Sequence, residues 1–308
     1  MIQVPFAKKT AACAVWWMTS GHLIAGLCLW FVWVMTQDET WIRSFFDCAS
    51  PVFFVVMAVL EWYLAMLCCR QFSTLDPLRR AWLLISIGSA CSLVGLTLTH
   101  IYATTSGLNP YLGIDPAFVS ANAIPSRRVG LSLSGPIHMT FLAAGLCQVL
   151  RVYKQVSPAT NSKWMDRMAI TIVLGFMVRQ SYESVVCHAQ PFAIHNALNW
   201  MTDFLLNVLL VEAILLRRYV LRMRGGGIAR CWGAYVTAIF ATSLGRLGVW
   251  AVTHQYIPWP LSSATWCIWF VVCAAYAIAP AYQMELYHRA RLIYYGSQYK
   301  EASLTLTR

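Results

Sequence analysis

Apolar residues in this chain fall into long blocks separated by short polar connections. Eight blocks stand out, over residues 11–35, 51–69, 81–104, 130–150, 168–187, 198–216, 231–252 and 262–284. Each is close to the roughly 20 residues an α-helix needs to cross a bilayer. The expected fold is all-α: a polytopic membrane protein of eight transmembrane helices, with residues 1–308 forming one transmembrane domain. Pro51 opens the second block at a tolerated first-turn position. The longest connection, 105–129, holds Gly107, Asn109-Pro110, Asp115-Pro116 and Pro125, which predict irregular structure or a short interfacial helix.

Composition supports the membrane reading. The chain is 59% hydrophobic and 11% charged, whereas soluble chains carry about 25% charged residues. An ordinary soluble enzyme or binding domain is thereby excluded. The first block follows Lys8-Lys9 and is too long for the apolar core of a signal peptide, so it is expected to stay as a span. The net charge of +11 invites a nucleic-acid partner, but the placement of the charge argues for topology instead. The connections after the second, fourth and sixth blocks and both termini are basic; the others are acidic or close to neutral. That alternation predicts N-in and C-in. Membrane lipids are the expected surroundings, nucleic acid is not a partner, and a bacterial cytoplasmic membrane is the expected location.

Several short strings recur in the same order along the chain. Glu61, Arg80-Ala81-Trp82, Ser92-Leu93-Val94-Gly95 and Thr99-His100-Ile101-Tyr102 are followed by Glu212, Arg230-Cys231-Trp232, Ser243-Leu244-Gly245 and Thr253-His254-Gln255-Tyr256. The spacing drifts by about one helical turn between the copies. A tandem duplication with halves 1–154 and 155–308 accounts for this, as a 4+4 parallel repeat of spans. The matched letters are few, and chance similarity between Trp-rich apolar helices explains them as well.

Charge inside an apolar block changes the functional picture. An ionised side chain at mid-bilayer costs at least about 2.5–3.5 kcal/mol, so such groups face the bundle interior or water. By depth, His100, His138, Arg179, Glu183, Asp203, Arg246 and His254 gather toward the non-cytoplasmic side. Arg179 and Glu183 are four apart on one helix face and can pair; Asp203 and Arg246 can pair between helices. The bland reading of these groups is ion pairs that hold helices together. Glu61 and Glu212 lie deeper, with no arginine at their own depth, and a lone buried carboxylate can carry a proton.

Catalytic motifs are absent: there is no His-Glu-x-x-His, Cys-x-x-Cys or Gly-x-Ser-x-Gly, and no lysine lies within a block. The sequence specifies no cofactor. A haem or metal held by His100 and His254 is a minor expectation, conditional on the two copies meeting. Three functional readings follow. The first is a proton- or ion-coupled transporter of a small solute, with Glu61, His138, Arg179, Glu183, Asp203, Glu212 and Arg246 binding proton, ion or substrate around a polar cavity. The second is a structural or assembly subunit of a larger membrane complex, with other membrane subunits as partners. The third is an outer-leaflet enzyme or redox protein, in which Arg179 and Arg246 bind an anionic group such as a lipid phosphate.

Overall fold

The structure is a computed structural model. It describes residues 10–38, 40–106, 125–156, 163–182, 194–222, 226–253, 256–257, 261 and 266–305. Among these residues the fold is all-α. The helices are α1 (Thr10–Thr36), α2 (Thr40–Ser44), α3 (Ser50–Gln71), α4 (Pro77–Ser106), α5 (Pro125–Val156), α6 (Lys163–Tyr182), α7 (Ile194–Arg222), α8 (Gly227–Thr253) and α9 (Trp266–Thr305). A π-helical turn, Phe45–Ala49, joins α2 to α3.

Local chemistry explains several boundaries. α1 stops where Gln37 takes a left-handed φ of 58° and its N–H closes on the Trp33 carbonyl at 2.7 Å, which satisfies an otherwise orphaned group at the helix end. α2 begins under Asp38, whose Oδ1 accepts the Thr40 N–H at 2.9 Å. α4 begins the same way: Asp76 accepts the Leu78 N–H at 2.8 Å, and Pro77 fills the first helical position, where a missing N–H costs nothing.

Six helices close a ring. α3 packs on α4, α4 on α5, α5 on α7, α7 on α8, α8 on α9, and α9 returns to α3. All six contribute to one core, which includes Cys68, Trp82, Leu146, Leu209, Trp232 and Ala279. At its centre the Trp82 and Trp232 rings meet with centroids 5.4 Å apart, both side chains essentially without exposure (0% and 1%). These are the tryptophans of the two Arg-x-Trp strings. Gly95 and Gly245 also occupy matching places, each facing the next helix of the ring. A Cβ on Gly95 would collide with the Ser134 side chain on α5, and one on Gly245 would lie 3.2 Å from the Trp269 ring on α9. Both helix pairs approach as closely as they do because a side chain is missing there.

Outside the ring, α1 leans on α9 and α6 leans on α7. Large apolar side chains point outward along α1 and α6, among them Trp17, Ile24, Phe31, Ile172 and Val178. Apolar, partly buried helices of this kind belong to a membrane-associated protein, and their outward faces require lipid.

The expectation of eight transmembrane helices is corrected by the structure. Among the described residues, four helices are long and apolar enough to cross a membrane: α1 over Ala11–Thr36, α3 over Ser50–Gln71, α4 over Pro77–Leu98 and α9 over Cys267–Arg289. The described parts of the other long helices do not reach that length and apolarity. α5 includes Arg127, Arg128, Gln148 and Arg151; α6 has Lys163, Asp166, Arg167 and Arg179; α7 has Asp203, Glu212, Arg217 and Arg218. α8 dilutes its aliphatic residues with Arg246, glycines, threonines and Trp232. Cutting the blocks between charges made each look cleaner than the continuous helix it belongs to. The N-in and C-in orientation and the 4+4 repeat of spans both depended on eight crossings and fall with that count.

Candidate functional site

Two separate groups of polar side chains emerge, one inside the ring and one beside it. The inner group centres on Glu61 of α3, 5% exposed. Ser89 of α4 places its Oγ 2.7 Å from Glu61 Oε1 and 2.9 Å from its own helix's Ile85 carbonyl. A hydroxyl has one hydrogen to give. With Glu61 ionised, that hydrogen points at the carboxylate. With Glu61 protonated, the acid donates to Ser89 Oγ and the hydroxyl turns to Ile85. Both protonation states are hydrogen-bonded without movement of a heavy atom.

His138 of α5 completes this group, 6% exposed. Its Nδ1 lies 2.8 Å from the Gly88 carbonyl; a carbonyl only accepts, so Nδ1 carries the proton and donates. The imidazole meets Tyr276 of α9 edge-on, centroids 6.0 Å apart, and Tyr276 meets Tyr235 of α8 at 6.1 Å. The Tyr235 hydroxyl has no hydrogen-bond partner among the described residues. On the neighbouring layer Trp232 Nε1 donates to the Tyr153 hydroxyl at 2.6 Å, whereas Trp82 Nε1 finds no acceptor among the described residues.

The second group lines a half-open cavity of about 1080 Å³ between α6, α7 and α8. Arg246 of α8 donates through Nε, at 2.8 Å, and Nη2, at 2.5 Å, to Asp203 Oδ1 of α7. The pair is partly exposed, 37% for Arg246 and 25% for Asp203. Arg179 of α6 lines the cavity with them, and Arg217 of α7 lies on the same wall. Most of the remaining surface is apolar, with Val173, Leu206, Leu210, Val236 and Phe240 among its residues.

The residues expected to share one polar site therefore divide. Glu61 and His138 go to the ring interior; Arg179, Asp203 and Arg246 go to the lateral cavity. Glu212 joins neither lining: it stands on α7 between buried Leu209 and Ala213, and its Oε2 is buried without a partner among the described residues. Glu183 and His254 lie outside the described residues, and with Glu183 goes the expected Arg179–Glu183 pair. His100 falls on α4, its side chain outside what is described. Among the described residues no three His, Cys, Asp or Glu side chains gather to hold a metal. Comparison with protein-family models, with curated proteins and with solved structures finds no match to this chain.

Ser89, Tyr235, Tyr276 and Arg217 do not stand out in the sequence. A faint signal exists for two of them. Ser89 lies seven residues after Trp82 and Tyr235 three after Trp232, so each shares a helix face with a core tryptophan.

Proposed function

We propose that the protein is a membrane transporter that moves a small solute in a proton-coupled manner, with Glu61 as the group that binds and releases the proton. The observation that carries this reading is the Glu61–Ser89 pair, which stays hydrogen-bonded in either protonation state at the centre of a helix ring. Removing an ionised carboxylate from water is costly unless it is paired, and a side chain held there with no arginine beside it among the described residues is more useful as a proton site than as glue. His138, held on the carbonyl of Gly88 beside Ser89, and the Tyr276 and Tyr235 rings that follow it add polar groups to the ring interior.

The ring architecture supports the same reading. We take residues 1–154 and 155–308 as related halves, each giving three consecutive helices to the ring: α3–α5 from the first and α7–α9 from the second. Trp82 and Trp232 then meet across the boundary between halves, where rocking of one half against the other would open or close the centre. The halves have diverged in their acids: Glu61 has its serine, while Glu212 has buried neighbours and an unpartnered oxygen among the described residues.

Infrared difference spectra of the purified protein, recorded between about pH 5 and about pH 9 to bracket a perturbed carboxylate, test the proposal. A carboxylic-acid band should titrate in that window and vanish in Glu61→Gln. If no such band titrates, the coupling group is lost and the reading with it. A protein stable only together with partner chains would favour the assembly-subunit reading instead.

A further inference from the structure

We infer that Glu61 exchanges its proton with the ring end that carries Arg80 and Arg151, through an internal water held by the Tyr235 hydroxyl and the Trp82 indole. The inference rests on the reading of Glu61 as a proton site.

The connections define that end. α3 stops at Gln71 and α4 starts at Pro77; α7 stops at Arg222 and α8 starts at Gly227. Trp82 and Trp232 each stand five residues into α4 and α8, and their rings meet, so both connections lie at the same end. Arg80, Arg151, Lys154 and Arg230 are exposed there. Glu61 lies deeper, because its partner Ser89 is seven residues beyond Trp82 on α4, about 10 Å farther in. A single hydrogen bond cannot bridge that distance.

Polar rings span it. Trp82 meets Tyr235, one turn deeper than Trp232, with centroids 6.2 Å apart. Tyr235 meets Tyr276, and Tyr276 meets His138, which is held on the Gly88 carbonyl next to Ser89. Trp82 and Tyr235 are both 0% exposed, yet neither the Trp82 N–H nor the Tyr235 hydroxyl has a hydrogen-bond partner among the described residues. Buried polar groups pair with protein or with ordered water. One water oxygen accepts from both side chains and keeps two hydrogens to donate. One turn beyond Tyr235 and Tyr276 stand Ala238 and Ala279, both fully buried, and side chains this small leave width for a water.

The transfer is a relay in which no proton is lost. A proton from the ring end binds the water, and the water passes another inward through the Tyr235 hydroxyl. The Glu61 carboxylate becomes a carboxylic acid that donates to Ser89 Oγ, and release runs in reverse. Tyr153 stands at the mouth: its half-buried hydroxyl accepts from Trp232 Nε1 at 2.6 Å and keeps its own hydrogen.

Time-resolved infrared spectroscopy of the full-length protein after a pH jump tests the route. The Glu61 carboxylic-acid band, identified by its absence in Glu61→Gln, gives both an equilibrium amplitude and a rate of appearance. Tyr235→Phe keeps the ring and removes one hydroxyl. It should preserve the amplitude and slow the rate about tenfold, the worth of one hydrogen-bonding link. Trp82→Phe attacks the other anchor and should slow the rate likewise, which keeps the test in hand if one variant does not fold. Tyr63→Phe, on the exposed side of α3, should change neither quantity. In water labelled with oxygen-18 an O–H band should shift, and that band should be missing in Tyr235→Phe. Absence of a Glu61 band in the unaltered protein removes the proton site and the relay with it. A normal Glu61 band whose rate is unchanged in Tyr235→Phe leaves the proton site standing and overturns the route. A shifting O–H band retained in Tyr235→Phe overturns the water site.

Discussion

The two outer helices, α1 and α6, lean on the same ring and end in opposite situations. Beneath α1 the space is filled by rings. His22 lies 4.6 Å from Phe45 and from Phe53 and 4.7 Å from Phe270, and Phe54 stacks on Phe270 at 4.9 Å. Beneath α6 the surface of α7 and α8 mixes Leu206, Leu210, Val236 and Phe240 with the small Thr237, Ala241 and Ser243, and a cavity remains. Helices with similar apolar outward faces thus become a closed buttress on one side and the wall of an open cavity on the other. Convergence decides between them: rings from the π-helical turn, α3 and α9 meet on His22 and fill the gap, whereas Phe176 and Phe240 line the cavity without closing it.

The largest effects should come from testing the filled side against the open one with the same truncation. Phe270→Ala removes a fully buried ring and should cost about 3–5 kcal/mol. Phe176→Ala, on the cavity wall, should stay within about 0.5–1 kcal/mol. Unfolding in a denaturing detergent series reads both, and equal losses would erase the distinction. A smaller effect is expected from the ion pair at the cavity mouth. A double-mutant cycle on Asp203→Ala and Arg246→Ala should give a coupling of about 1 kcal/mol, modest because the pair is partly exposed. Gly175→Ala should stabilise by about 0.5–1 kcal/mol, since it raises helix propensity in open space.

The smallest effect lies outside the membrane segments, at the entry to the filled side. Asp38 Oδ1 accepts the Thr40 hydroxyl at 2.6 Å and the Thr40 N–H at 2.9 Å, and these bonds hold its carboxyl below the ordinary value of 3.8. A depressed folded-state value means that the stabilisation is present above the unfolded value and is lost as pH falls through the folded one. The Asp38 titration midpoint, followed by carbon-13 chemical shift, should rise in Thr40→Ala. An unchanged midpoint would mean that the cap contributes nothing there.

The sequence and the structure agree best where the physics is local. Pro51 reads as a first-turn residue on its own, and α3 does begin at Ser50, because the preference involves only the residue's own backbone and the next turn. The eight-span count failed because the length and apolarity of a stretch have to be weighed together with the polar residues within and beside it. Judging α7 by residues 198–216 left Arg217 and Arg218 out of account. Placing charges by depth brought Arg179, Asp203 and Arg246 to a common level, and they do line one cavity. It also put His138 with them, and there depth was insufficient. His138 faces Gly88 inside the ring, because depth says nothing about the rotation of a helix about its own axis.

By itself, then, the sequence determined that the chain is helical, that its apolar runs require lipid, and that charged side chains are interspersed among them. Only the tertiary structure decided that α9 returns to α3 and closes a ring, that Trp82 meets Trp232, and that Glu61 and Arg246 stand in separate polar groups. Hydropathy and helix period are properties of neighbours along the chain. Ring closure and cavity volume depend on which side chains of distant helices interdigitate and on whether they converge on one point.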